Sequence, residues 1–498
     1  MNNQAQLITY VDRFSGGAFR DLQALLDGPL KGAFGGIHVL PFFHPIDGAD
    51  AGFDPIDHTR VDSRLGTWDD VAALAARTDM LADVIVNHVS RRSPQFEDYA
   101  TRGDASPYAG LFLTYSRVFP DGARESDLIA LHTPRPSLPF TRHWTADGHD
   151  VLLWTTFTSD QIDIDVQHPE SRRYLANVLT RFHDAGIRAI RLDAVGYAIK
   201  KAGTSCFMIP ETFAFIADFA GQARALGIEV LVEVHGHYQD QIDVARQVEW
   251  VYDFALPPLV LHTLYTRDAS RLMRWLEIRP RNAVTVLDTH DGIGVEDVDA
   301  GGLRRQAAGL LRPEEIESLV KTIHRRSRGE SRHASGGGAD NVDTSQINCT
   351  YYDALGRSDR EYLIARAIQC FVPGIPQVYY VGLLAGHNDL DLLRRTGVGR
   401  DINRHYYTAA EVQQQLTRPV VRALLSLLRL RNTHTAFGGT FEIQSTAPDE
   451  FALWWRNGVD FARLDVNLAR PCASLTCSQA NAGMAGALVW QSAVEAST

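Results

Sequence analysis

Three short apolar runs in this chain each end in a carboxylate: Ile187-Arg-Ala-Ile-Arg-Leu-Asp193, Ile228-Glu-Val-Leu-Val-Glu233, and Ala283-Val-Thr-Val-Leu-Asp288, the last continued by Thr289-His290-Asp291. Runs this short and this rich in branched aliphatic residues predict strands buried on both faces, as in a parallel sheet covered by helices. A charged tip belongs where such a strand leaves the core. In a closed barrel of alternating strands and helices, that C-terminal end is where the loops build a pocket, so acids delivered by several strands meet there. Cleavage of a sugar acetal uses such a meeting: one carboxyl protonates the leaving oxygen, and another attacks or activates water around an oxocarbenium-like transition state. Asp193 and Glu233 are the candidates for that pair, and Asp291 for a third acid. Any one of them alone would be better explained as a helix cap or a loop ion pair.

The rest of the chain fits the same plan. Strand-like runs at Gln6–Val11, Gly36–Leu40, Ala82–Val86, Ile187–Leu192, Ile228–Val232, Trp250–Phe254, Ala283–Leu287 and Ile375–Tyr380 alternate with helical stretches such as 68–76, 169–185 and 210–226. Gly227 closes the last of these helices, since glycine tolerates the left-handed turn that ends a helix. The alternation predicts an α/β fold: a (β/α)8 TIM barrel with an insertion after strand 3 and a small C-terminal β domain. The barrel is expected over residues 1–87 and 168–435, the insertion over 88–167, and the C-terminal domain over 436–498. Residues 325–352, with Gly336, Gly337 and Gly338, read as a long loop at the same face as the acids.

Composition narrows the partners. At 498 residues and 45% hydrophobic, the chain can bury a large core. A net charge of -11 and a pI near 5.9 give no electrostatic reason to expect nucleic acid or an anionic membrane, so any phosphate must be held by local basic residues. No run approaches the roughly 18 apolar residues of a membrane span, and the N-terminus lacks the basic and apolar regions of a secretory signal, so a cytoplasmic protein is expected. Five cysteines without metal-type spacing point to free thiols.

Six segments carry a resemblance. Asp83-Val-Ile-Val-Asn-His88, Ile190-Arg-Leu-Asp-Ala194, Leu231-Val-Glu-Val-His235 and Leu287-Asp-Thr-His-Asp291 resemble, in order, the four sequence regions of glycoside hydrolase family 13, the α-amylase family. Gln161-Ile-Asp-Ile-Asp165 and Gly374-Ile-Pro-Gln-Val-Tyr-Tyr380 match two auxiliary regions. Gln6-Leu-Ile-Thr-Tyr10, the segment 47–58, Pro134-Arg-Pro-Ser-Leu-Pro-Phe140, Val251–Pro258 and Gly399-Arg-Asp-Ile-Asn-Arg-His405 are further similar to the sucrose phosphorylase subgroup, and the likeness fades beyond about residue 435.

The resemblance implies that Asp193 is the nucleophile of a retaining reaction, Glu233 the acid and then the base, and Asp291 the transition-state stabiliser. It implies a donor site made of Asp50, His88, Arg191, His290, Asp291 and Arg400, walled by Phe53, Phe157 and Tyr197, and closed around one glucosyl unit. Arg191 is expected to keep Asp193 ionised. On the acceptor side it implies Arg135 for phosphate, with Asp343, Ser345 and Gln346 completing the site; His235 and His237, two apart on a strand and without a third ligand, are expected there as polar residues in preference to a metal site. Sugar and inorganic phosphate are the expected partners, with no cofactor and no metal, although Asn87 stands where some α-amylases bind calcium; a homodimer stays open. Ser345 replaces a usual tyrosine and His132-Thr133 a usual Tyr-Arg pair, so sucrose competes with sucrose 6'-phosphate, glucosylglycerol and glucosylglycerate as substrate. Two other readings stand beside these: a hydrolase that uses water, and a non-catalytic barrel kept as an interaction scaffold.

Overall fold

The computed structural model describes residues 1–48, 50–135, 137–146, 148–299, 308–334, 346–478 and 487–492. Eight parallel strands close a barrel: β1 (Gln6–Thr9), β2 (Gly36–Val39), β3 (Asp79–Ile85), β4 (Ala189–Asp193), β5 (Glu229–Val232), β6 (Trp250–Asp253), β7 (Ala283–Thr285) and β8 (Ile375–Tyr379), with β8 pairing back onto β1. Every expected strand is present, and helices Trp68–Ala75, Pro169–Asp184 and Pro210–Ala225 lie where periodicity placed them. The fold is a TIM barrel with a C-terminal antiparallel sheet. Among the described residues no helix is long and apolar enough to cross a membrane, and all five cysteines are free thiols.

Register places the chemistry. In the ladder between β3 and β4, Arg191 lies opposite Asp83 and Asp193 opposite Ile85. Because strand side chains alternate, Arg191 and Asp193 share the inward face. Asp193 is the last residue of β4, and Glu233 follows the last residue of β5.

The connection after β3 carries more structure than its composition suggests. Helix Pro94–Arg102 starts on a Ser93 cap, and Phe140–Trp144 pairs with Asp150–Trp154 as a hairpin. His88–Ser90 pairs with Gln161–Asp163, which ties both ends of the insertion to the barrel mouth.

The C-terminal sheet is a five-stranded meander, β9 (Thr440–Ala447), β10 (Glu450–Asn457), β11 (Asp460–Asn467), β12 (Cys472–Cys477) and β13 (Ala487–Gln491). Two indoles fasten it to the barrel helices. Trp455 Nε1 donates to the Phe371 carbonyl (2.7 Å) and Trp490 Nε1 to that of Ala423 (3.0 Å). Trp454 points the other way, held between Arg456 and Arg463 at 4.6 and 4.7 Å.

Asp288, the tip of the third acidic run, is structural. Its carboxylate is paired to the fully buried Arg366 at 2.6 Å, beneath Gly382, where a Cβ would lie 2.0 Å from Asp288 Oδ2. Only a glycine lets this pair close. Arg366→Met would strand a buried carboxylate and is expected to cost about 3–5 kcal/mol of stability, read from denaturant unfolding; a loss below ~1 kcal/mol would show that the pair contributes little.

Candidate active site

One guanidinium organises the centre of the barrel mouth. Arg191, 1% exposed, ion-pairs through Nη1 with Asp83 and, at 3.1 Å, with Asp193 Oδ1, and through Nη2 with Glu233 Oε1. Below it Asp83 also receives His38 Nε2 at 3.0 Å, and Tyr252 OH lies 3.2 Å from His38 Nδ1. Burial alone would raise Asp83, but His38 and Arg191 hold it at about 2.

Asp193 differs from expectation. Burial pushes its carboxyl well above the ordinary range, and Glu233, Asp83 and Asp291 add to that rise against the opposing pull of Arg191. The reason is arithmetic: three carboxyls share one guanidinium, so Arg191 cannot hold every one of them ionised.

The far side of the pocket is closed by a second knot of charge. Arg400 Nη1 is 2.8 Å from Asp291 Oδ1 and 3.3 Å from Asp50 Oδ2, while Arg404 Nη1 reaches Asp50 Oδ1 at 3.1 Å. Burial works against ionisation of Asp50 and Asp291, but the arginines win and keep both below the usual carboxylate range. His290 stacks on Phe53 (4.6 Å, 6°), and burial lowers its pKa to about 3. His88, also lowered by burial, lies 2.9 Å from the Phe53 carbonyl through Nε2 and meets Phe157 edge to face at 5.4 Å; Phe157 in turn meets Tyr197 at 5.4 Å. Neutral imidazoles and aromatic rings thus line the space beside an ionised Asp291.

The opposite side is more open in chemistry. His235 Nε2 is 3.8 Å from Glu233 Oε1, and its Nδ1 is 3.3 Å from Asp297 Oδ2. Burial opposes its charge, but Asp297 and Glu233 raise it to about 9. Gln346 comes beside Asp291, its side-chain oxygen accepting from Gly292 N–H at 3.3 Å. Arg135 Nη2 donates to the Thr155 carbonyl (2.6 Å), so its guanidinium is docked on the insertion. Asp343 and Ser345 lie outside the described residues. His237 caps helix Tyr238–Val244 by accepting from Gln239 N–H.

Glu233, His235 and Asp291 each bring one potential metal-ligand atom within 4.8 Å of the others. A charged His235 and the arginines on both carboxylates make that trio a poor cation site. At Asn87, Lys200 Nζ stands 2.9 Å from the side-chain oxygen and 2.8 Å from Asp163 Oδ2, and it also meets the Tyr197 carbonyl.

Residues 32–243 match the family model described as alpha amylase, catalytic domain. Over 96% of its length the chain is 58% identical to a sucrose phosphorylase of Agrobacterium vitis, covering 98% of it, and over 93% it is 50% identical to one from Bifidobacterium adolescentis, covering 92%. The crystal structure of a sucrose 6F-phosphate phosphorylase from Thermoanaerobacter thermosaccharolyticum superposes with a TM-score of 0.90 at 38% identity, with 98% of both chains covered. The chain belongs to the sucrose phosphorylase group of the α-amylase family. It is therefore an enzyme of the glucosyl-transferring phosphorylase type. For this phosphorylase-group chain, the structure brings Asp50, Phe53, His88, Phe157, Arg191, Asp193, Tyr197, Glu233, His235, His290, Asp291, Gln346 and Arg400 to one end of the barrel, through the contacts above. Three residues escaped the sequence reading: Arg404, Asp297 and Lys200. Arg404 sits four residues past Arg400 in a segment already singled out, and that spacing was the one available signal.

Proposed function

We propose that this enzyme transfers the glucosyl group of sucrose to phosphate, releasing fructose and α-glucose 1-phosphate. The observation that carries this reading is the placement of Asp193 and Glu233 on adjoining nitrogens of Arg191, in a pocket closed by Asp50, Arg400 and Arg404. Two carboxyls sharing one guanidinium suit the close pair of a retaining enzyme, since an inverting pair must leave room for water between them.

In the first half-reaction, an Asp193 oxygen bonds to the anomeric carbon, the glycosidic C–O bond breaks, and Glu233 gives its proton to the departing fructose oxygen. Asp291, held ionised by Arg400 and Arg404, faces the positive charge that develops on the ring. The cluster around Arg191 carries more carboxyls than that guanidinium neutralises, and a proton kept there is the one the leaving oxygen needs. In the second half-reaction, Glu233 takes the proton of the incoming phosphate as its oxygen bonds to the anomeric carbon and the Asp193 ester breaks. Arg135 and His235 supply the positive charge that lets an anion approach.

Unphosphorylated fructose fits the acceptor side better than a sugar phosphate. His132 packs on Phe207 (4.2 Å) and stacks with Tyr197, and burial lowers its pKa to about 4, so it brings no charge near neutrality. Thr133 spends its hydroxyl on the Arg135 carbonyl. Neither replaces a second arginine. Buried free thiols fit work in a reducing cytoplasm, and we take residues 88–167 and 436–498 as modules added to the barrel.

The test is the product of sucrose with and without phosphate. Glucose 1-phosphate formed at the expense of free glucose supports the proposal; glucose release indifferent to phosphate overturns it. Arg135→Ala is expected to lower phosphorolysis by about 10- to 100-fold, the range for a lost charge-assisted hydrogen bond, while leaving hydrolysis within about threefold. Equal losses in both reactions would remove Arg135 from the phosphate site.

A further inference from the structure

His235 reaches its place through a carboxylate that no part of the reaction touches. Asp297, on the short turn Glu296–Val298, is fully buried. It accepts from Gly236 N–H (3.2 Å), from Gln241 Nε2 (3.0 Å), and from His235 Nδ1 at 3.3 Å. No arginine or lysine among the described residues pairs with it. A carboxylate taken out of water needs a compensating positive charge, and the one cation in reach among those residues is a protonated His235. The site is shaped for this contact: a Cβ on Gly294 would lie 2.4 Å from Asp297 Oδ2, and the His235 ring is fixed by stacking on Phe254 (3.9 Å, 16°).

With Nδ1 turned to Asp297, Nε2 has one direction left. It is buried without a hydrogen-bond partner among the described residues and faces Glu233 Oε1 at 3.8 Å, the acceptor side of the acid. We propose that Asp297 is a positioning residue for phosphate capture, holding His235 as an imidazolium whose Nε2–H meets the incoming phosphate beside Glu233. This rests on the phosphorolytic reading above. Water is neutral and needs no such cation, so the pair separates the two acceptors: it favours phosphate and leaves hydrolysis nearly untouched. Among the described residues, the groups facing His235 are Asp297 and Glu296 on the turn, Glu233 after β5, Asp291 after β7, Gln241 on the following helix and Phe254 after β6, with Arg191 and Arg400 beyond them, paired to Glu233 and Asp291. The acids hold its proton to about pH 9 against burial, so phosphate capture is expected to persist to that pH and then fail.

The experiment compares the full-length wild type with Asp297→Asn and Asp297→Glu. Glucose 1-phosphate from the wild type is measured first, since its absence would defeat the phosphorolytic reading and not the role of Asp297. Asp297→Asn is expected to raise the phosphate KM about 10- to 100-fold and leave phosphate-free hydrolysis within about threefold. The alkaline limb of kcat/KM for phosphate should move down toward the ordinary histidine value of about 6.5, and Asp297→Glu should restore part of the loss. Equal loss of both reactions with an unmoved alkaline limb overturns the proposal. Should Asp297→Asn fail to fold, 15N-histidine NMR of the wild type decides, with the His235 signal assigned by its absence in His235→Gln: titration near pH 9 supports the proposal, and titration below pH 7 overturns it.

Discussion

Asp193→Asn is expected to lower kcat by about 10⁴- to 10⁶-fold, the range for removal of a catalytic nucleophile, in phosphorolysis and hydrolysis alike. Both reactions pass through the same glucosyl ester, so removing the nucleophile cannot favour one over the other. The amide keeps the size of the carboxyl, and its oxygen can still accept from Arg191 Nη1, so the fold and the pocket should survive. Intact-protein mass spectrometry checks the cause: a wild-type sample quenched during turnover should carry one added hexosyl unit on the peptide containing Asp193, and the variant none. A variant that keeps about a hundredth of wild-type turnover, far above the residual expected for a lost nucleophile, would take this role away from Asp193.

Glu233→Gln should separate the two half-reactions. With sucrose, whose alkoxide leaves poorly, loss of the general acid is expected to cost about 10²- to 10⁴-fold. With α-glucosyl fluoride the leaving group needs no proton, and the first step should recover most of its rate. The second step still lacks its base, so the glucosyl-enzyme should accumulate and be seen as a burst of fluoride equal to the enzyme present. The variant also turns the Arg191–Glu233 ion pair into a neutral hydrogen bond, which leaves Arg191 to Asp83 and Asp193. A fluoride reaction as slow as that of sucrose would mean that Glu233 acts on something other than the leaving oxygen.

The barrel was legible because its strands are buried on both faces: continuous branched aliphatic runs can be read without knowing their neighbours. Asp193 and Glu233 were legible for the same reason, each standing where such a run stops. The third run shows where that reasoning ends. Asp288 and Asp291 are equally acidic and three residues apart, and only the approach of Arg366 from a helix far along the chain makes the first structural and leaves the second in the pocket. Arg404, Asp297 and Lys200 were missed for a related reason, since each matters through a partner distant in sequence. The expectation that Arg191 keeps Asp193 ionised was incomplete, because pairing one cation with one acid ignored Asp83 and Glu233, which raise the Asp193 carboxyl against the pull of Arg191. That His237 also caps a helix was not legible, because a helix-capping histidine and an acceptor-side histidine look alike at this spacing. The hairpin at Phe140–Trp154 and strands β11, β12 and β13 were hidden by polar and small residues, whose pairing depends on neighbours more than on their own pattern.

Lys200 carries a consequence of another kind. Its ammonium, 1% exposed, sits between Asn87 beside the pocket histidine, Asp163 on the closing strand of the insertion, and the carbonyl of the wall residue Tyr197. An ion taken from solution occupies such a place only in proportion to its concentration and affinity, and the fold it supports weakens as the ion is diluted. A tethered ammonium obeys no such law. Its local concentration is fixed by the chain, so the seam between insertion and barrel holds equally well in dilute solution, in chelating buffer, or among phosphate ions that would precipitate or compete for a divalent cation. For an enzyme that uses phosphate as a co-substrate, this removes a conflict between what holds the pocket together and what enters it.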